Sequence, residues 1–266
     1  MLANFAFKRI LVPVDFSTRS ANALAYAVAL GSRARAEIDV LHVWHSDLSN
    51  PVTVARERAK QELCDFVSGL DLHGDVELHR RAELGDPYLT IQSLAQLTRY
   101  DLLVVAGPEP TRSEVDSAGL RLLRSASTPV LFVPGNCLAW SRSELEPAFR
   151  LERILVPIAL AGAHLSALDC ARELADADGA RVEALLSPDV LPSQIAYLRA
   201  HPWLDRLITV ELREGSELSA PTRVQSSRFD LLVMASKRVH VGERAKDLRL
   251  EHIALSAPCA SLSLPD

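Results

Sequence analysis

The sequence predicts an α/β protein of two tandem domains, each a five-stranded, mostly parallel sheet flanked by helices. Three observations lead there. The run Asp101-Leu-Leu-Val-Val-Ala returns as Asp230-Leu-Leu-Val-Met-Ala, 129 positions on (230 − 101). The stretch Lys8–Val43 lies over Glu152–Ser187 without a gap, at an offset of 144 (152 − 8). In both copies the apolar runs are continuous rather than alternating, as in strands buried on both faces. Helical periodicity separates them, as crossover helices would.

Each half opens with a strand, Arg9-Ile-Leu-Val-Pro in the first and Arg153-Ile-Leu-Val-Pro in the second. A helix follows. In the first half Ala21, Leu24, Ala25, Val28 and Ala29 form a stripe that would pack on a sheet, and Leu24, Ala27 and Leu30 match Leu168, Ala171 and Leu174. A second β-rich run comes next, EIDVLHVW or RVEALL. Between the second and fourth strands the first half holds a long helical pattern over 51–70, and the second a shorter, proline-broken one over 191–207. The Asp-Leu-Leu-Val strands come next, and each half closes with a Ser-Ala helix end and a strand ending at Pro134 or Pro265. The segment Gly135–Glu152 is polar and lacks strand periodicity, so the domains are expected at 1–136 and 152–266 with a linker over 137–151. Open parallel sheets put a ligand site at the carboxyl ends of their strands, near the switch point.

Composition excludes several classes. The chain has 266 residues, 48% hydrophobic and 24% charged, which suits packed domains rather than disorder. A formal net charge of −5 argues against nucleic acid as a partner, because neutralising phosphates takes a basic excess. No apolar run approaches the roughly 18 to 20 residues of a membrane span, and the N-terminus shows no secretory pattern. Cys64, Cys137, Cys170 and Cys259 are scattered without CxxC spacing, which points to reduced thiols and a cytoplasmic location. His42 and His45 are spaced like metal ligands, with Cys64 or His79 as imaginable company. Residues three apart on a strand point to opposite faces, however, so His42 is read as a strand-end histidine and no metal is expected. The basic stretch Ser236–Lys246 is read as a solvated loop. No catalytic elbow, P-loop, dinucleotide fingerprint or HExxH motif occurs.

The ordered motifs resemble those of the universal stress protein family, in its tandem two-domain form. They are ILVPVD at Ile10 to Asp15, the LHV ending the second strand, GDP at Gly85 to Pro87, DLLVVA, and SASTPVLFVP ending at Pro134. The second half supplies ILVPI, DLLVMAS and SAPCASLSLP. The resemblance implies Rossmann-like, adenine nucleotide α-hydrolase-like domains. It also implies that the last strands, PVLFVP and CASLSLP, pair with one another. Further dimerisation of whole chains is expected on a separate ground, because an exposed sheet edge invites pairing.

The family divides into ATP binders and non-binders. Binders share a G-x2-G-x9-G-S/T loop after the fourth strand, where glycines admit the phosphates and the last pair opens a helix with free N–H groups. An Asp ending the first strand and a backbone group after the second complete the nucleoside pocket. Carried over, the Asp is Asp15, with Ala159 as its counterpart. The first glycine falls at Ala106 or Ala235, with Gly107 able to stand in. The second falls at Glu109, Pro110 or Arg238. Counting back from the helix end, the third falls at Asp116-Ser117 and Asp247-Leu248; counting forward gives Gly119-Leu120. An aspartate there would cap the helix with protein charge and repel a phosphate. The candidate nucleoside pocket is thus Pro13, Val14, Asp15, Val43, Ala106, Gly107 and Ser117, with Asp15 equally readable as a cap before Ser17 and Thr18. The resulting expectation is a non-enzymatic stress-response binding or scaffold protein without ATP, acting with a protein partner. The alternative is an ATP- or adenosine-binding switch, or slow ATPase, using the first domain.

Overall fold

The computed structural model describes residues 7–45, 51–72, 74–107, 118–135, 150–158, 164–186, 208–210, 229–236, 257 and 259–265. The chain divides into two compact units, Ala6–Phe149 and Arg150–Asp266. In the first, β1 (Arg9–Pro13), β2 (Glu37–Trp44), β3 (Glu77–Leu84), β4 (Leu102–Ala106) and β5 (Val130–Val133) alternate with α1 (Thr18–Gly31), α2 (Val52–Ser68), α3 (Pro87–Thr98) and α4 (Ala118–Ser125). Its strands run parallel in the order β3-β2-β1-β4-β5. The second unit holds β6 (Arg153–Ile158), α5 (His164–Asp178), β7 (Arg181–Leu186), β8 (Ile208–Val210), β9 (Leu231–Ser236) and β10 (Ala260–Pro265). Its strands repeat the arrangement as β8-β7-β6-β9-β10, again parallel.

The repetition extends to register. Ile10 and Leu11 stand opposite Leu102 and Leu103, and Ile154 and Leu155 opposite Leu231 and Leu232. These central strands are sequestered: Ile10, Leu11, Val12, Leu102, Leu103 and Val104 are all 0% exposed. Each such side chain contributes about 1.5–3 kcal/mol relative to exposure, which is why the apolar runs are unbroken.

The stripe expected on α1 needs correction. Ala25 is exposed and Ala21 and Ala29 are only half-buried, whereas Ser20, Ala23, Leu24, Ala27, Val28, Leu30 and Gly31 are buried. The helix is so rich in alanine that apolar spacing alone fits more than one face. The face that packs is the one shared with α5, where Leu168, Ala171 and Leu174 are buried in turn.

Both units fasten the amino end of their central strands in the same way. The Asp101 carboxylate accepts from the backbone N–H groups of Lys8 and Arg9 at 3.0 and 2.9 Å, both through Oδ2. Asp230 Oδ2 does the same for Glu152 and Arg153, at 2.8 Å each. These amides lie where the ladder begins and would otherwise look to water, so a charged acceptor settles the start of pairing. The aspartate of the duplicated motif is thus a clamp on the first strand.

Next to the clamp the copies use different chemistry. Tyr100 donates its hydroxyl to the Asp39 carboxylate, and Arg81 lies 3.3 Å from that hydroxyl and 3.5 Å from Asp39. Burial foremost, then the bond to Asp39 and its charge, push the Tyr100 phenol up to about 12, with Arg81 opposing. In the second unit Phe229 replaces Tyr100 and cannot donate. There Arg153 spans the gap, 4.6 Å from the Phe229 ring centre and bonded to the buried Glu183 at 2.6 Å.

The last turns also correspond. Arg35 (φ 51°) and Gly179 (φ 72°), 144 positions apart (179 − 35), both adopt the left-handed conformation after their helices. No helix among the described residues is long and apolar enough to cross a membrane.

Candidate functional site

In the order β3-β2-β1-β4-β5 the chain leaves β1 toward β2 on one side and later returns to β4 on the other. The crevice outside the carboxyl ends of β1 and β4 is therefore the switch point. Pro13 ends β1, and Val14 follows, donating its N–H to Leu41 O at 2.8 Å. Val43 is the penultimate residue of β2, while Ala106 ends β4 with Gly107 directly after it. The topology thus brings Pro13, Val14, Asp15, Val43, Ala106 and Gly107 to one end of one sheet. Ser117 lies outside the described residues, as do Glu109, Pro110, Asp116, Ala159, Arg238, Asp247 and Leu248.

Asp15 is exposed and occupied locally. Its Oδ1 accepts from the Ser17 N–H at 3.1 Å and from the Ser17 hydroxyl at 2.5 Å. Ser17 is in turn the N-cap of α1, its hydroxyl accepting from the Ser20 N–H at 3.2 Å. Burial alone would raise the Asp15 carboxyl. The hydrogen bonds from Ser17 and Ser20 and the charge of Arg19 outweigh it and hold the carboxyl below its usual range. The residue therefore supports the Ser17 cap from behind and keeps its carboxylate ionised just beyond the carboxyl end of β1.

Phe16 sits between them in the left-handed conformation, φ 63°, which is uncommon for a bulky residue. Its ring stacks on His42, with centroids 4.2 Å apart, and tilts against Phe66 of α2 at 5.4 Å. His42 Nδ1 lies 3.1 Å from Val14 O, an arrangement that requires the proton on Nδ1. The His42 ring is therefore a packing element that fixes the turn after β1, while His45 is exposed beyond β2. Sequence spacing gave no hint of this stack, because Phe16, His42 and Phe66 meet only through the tertiary fold. Among the described residues no three His, Cys, Asp or Glu side chains gather as a metal site requires.

The glycines on the β4 side have packing reasons. A Cβ on Gly107 would lie 3.1 Å from Phe132 Cζ and from Pro134 Cα, and 3.2 Å from Gly135 N. The Gly107 N–H is given to Val133 O at 2.7 Å. Gly119, in the first turn of α4, brings that helix so close to β4 that a Cβ would lie 2.8 Å from Ala106 O. The second unit has Ser236 in place of Gly107 and Ser263 in place of Phe132, so where glycine is lost the ring that demanded it is lost too. The GDP motif is also structural. Gly85 leaves β3, the Asp86 side chain caps α3 by accepting from the Leu89 N–H at 2.9 Å, and Pro87 opens the helix.

These features define the first unit as a doubly wound α/β domain whose switch point lies between β1 and β4. Residues 6–134 match the model of the Universal stress protein family, and the chain accordingly carries a domain of that family. Among solved structures it resembles a universal stress protein from Archaeoglobus fulgidus DSM 4304, with a TM-score of 0.71, 16% identity and 98% of each chain covered. It also resembles a functionally unknown protein from Pseudomonas aeruginosa PAO1, with a TM-score of 0.63 and 16% identity, over 100% of this chain and 95% of that one. At such identity the likeness is one of fold. No curated protein matches the sequence.

Proposed function

We propose that the chain is a non-enzymatic stress-response protein that works by binding or scaffolding a protein partner and takes no ATP. The observation that carries this reading is the state of the backbone after β4. A phosphate cradle needs free N–H donors on a pliable chain. The Gly107 donor is already spent on Val133 O, and Pro108 and Pro110 have none. Glu109, between the two prolines in sequence, adds a negative charge to the segment that follows β4.

To test it, the purified chain is denatured and released small molecules are identified by mass spectrometry, with titration calorimetry of ATP, AMP and adenosine alongside. The expected result is no stoichiometric nucleotide and no heat with ATP. Co-purified ATP, or ATP binding at micromolar concentration, would overturn it.

One observation favours a second reading, an adenosine-type ligand without a triphosphate in the first unit. The Asp15 carboxylate stands exposed and ionised at the end of β1, where a ribose or base could use an acceptor. Adenosine binding that is lost in Asp15→Ala, with ATP silent, distinguishes that case. A slow ATPase is the weaker form of the same alternative, and phosphate release assays address it. A cytoplasmic location and pairing of the two last strands belong to the main reading. Fractionation tests the first, and engineered cysteine pairs across the strands test the second.

A further inference from the structure

α3 and α4 pack side by side, and between them they carry two cations, Arg121 and Arg124, and no acid. That balance stands out in a chain whose net charge is −5. On α4, Arg121, Arg124 and Ser125 follow at i, i+3 and i+4, which puts them on one face, and all three are exposed. Tyr88 of α3 meets that face. The Ser125 hydroxyl donates to Arg121 O at 2.8 Å, so the Tyr88 hydroxyl, 3.0 Å away, is the donor to Ser125 Oγ. The Arg121 guanidinium in turn lies over the Tyr88 ring, with its carbon 3.8 Å from the ring centre. The contacts close a loop that runs from the Arg121 main chain through Ser125 and Tyr88 back to the Arg121 side chain.

An exposed arginine ordinarily samples many rotamers, and this loop holds one of them. Seated so close, the guanidinium turns its planar face to the ring and leaves its N–H edges for other partners. Among the described residues no carboxylate meets those edges. Nor does the repeated fold ask for the two arginines. Aligning Ser125-Ala126 with Ser256-Ala257 puts His252 and Leu255 at the places of Arg121 and Arg124, so the second copy is built without them.

We propose that Arg121, held over Tyr88, anchors an acidic segment of a protein partner by taking one of its carboxylates on a guanidinium edge through two parallel N–H···O bonds. Such forked, charge-assisted pairs are the strong class of hydrogen bond, and an arginine already ordered before binding loses less freedom on making one. Arginine and tyrosine are also the residues on which binding energy concentrates at protein interfaces. Arg124, one turn along, adds positive charge beside the anchor. Nucleic acid is disfavoured as the source of anions by the net negative charge of the chain. The role belongs to the partner-binding reading, whose own test, nucleotide titration, does not touch Arg121.

The probe is a hexaglutamate peptide, titrated into the full chain to about 10 mM at low salt while the α4 backbone amides and the arginine Nε–H signals are followed by NMR. In the parent the Arg121 signal is expected to shift and to saturate in the millimolar range. Arg121→Lys keeps the charge but has no planar fork, and should weaken binding at least about fivefold, read from the α4 amides. Tyr88→Leu keeps Arg121 but removes the ring beneath it, and should weaken binding by about the same factor. Arg56→Lys, at an exposed position on α2, should leave binding unchanged, and circular dichroism melting checks that each variant stays folded. A shift that never saturates, an Arg121→Lys or Tyr88→Leu chain that is folded and binds as the parent does, or an equal loss in Arg56→Lys would each overturn the proposal.

Discussion

Asp101→Ala removes the clamp from the first strand while leaving every apolar core residue in place. Two backbone amides, of Lys8 and Arg9, lose a carboxylate oxygen at 3.0 and 2.9 Å. Bonds to a charged acceptor contribute about 1.5–3 kcal/mol each when buried. Asp101 is exposed, so water competes, and the neutral-bond range of about 0.5–1.5 kcal/mol per bond is the fitting one. The pair should therefore cost roughly 1–3 kcal/mol. Asp101→Asn keeps an acceptor oxygen without the charge and should cost about half as much. Urea unfolding is the assay, reading the midpoint of the transition that reports the first unit. The slope should be unchanged, because the surface exposed on unfolding is the same. Asp230→Ala should do to the second unit what Asp101→Ala does to the first. A loss below about 0.3 kcal/mol for Asp101→Ala, or an asparagine as damaging as the alanine, would refute the clamp.

Tyr100 supplies a pH signature. Its phenol is raised from about 10 in an unfolded chain to about 12 in the fold, so its contribution is complete below pH 10 and is lost as pH climbs toward 12. Tyr100→Phe should flatten that alkaline limb and cost about 1–2 kcal/mol at neutral pH by leaving Asp39 one donor short; a retained limb counts against the network. Gly119→Ala should destabilise by about 1–3 kcal/mol, although alanine usually improves a helix by about 1, because the new methyl meets Ala106 O at 2.8 Å; a higher melting temperature would show that the helix shifts freely. Arg35→Gly should stabilise by about 0.5–1 kcal/mol, relief of a left-handed arginine outweighing its exposed pair with Asp75; a loss above 1 kcal/mol in thermal melts would contradict this.

Strands were legible because the chain states them twice. Register was not: aligning the copies says that both should share one, but Ile10 opposite Leu102 and Ile154 opposite Leu231 are read only from the folded sheets. The face of α1 shows the limit of one-copy reasoning. Periodicity alone selected Ala25, which is exposed, while comparison with α5 selected Leu24, Ala27 and Leu30, which are buried. At the candidate site, a helix-start role for Asp15 was readable from Ser17 close behind it. The Phe16–His42–Phe66 stack was not, since no local spacing encodes contacts among residues so far apart in sequence. The same holds for the two glycines near β4. A sequence shows that a glycine is present, but only the ring of Phe132 and the carbonyl of Ala106 show that there is no room for a side chain.

The Asp101 and Asp230 clamps sit at the amino ends of the strands, whereas the candidate site sits at the carboxyl ends. Within each unit, fastening and the candidate ligand position thereby fall at opposite ends of that unit's own strands. A change in the residues after β4 or β9 leaves the anchoring pole untouched, so each unit can exchange its working loop without renegotiating its register. The sequences GPEP and SKRV, following matching strands, are what that freedom looks like after two copies have used it separately.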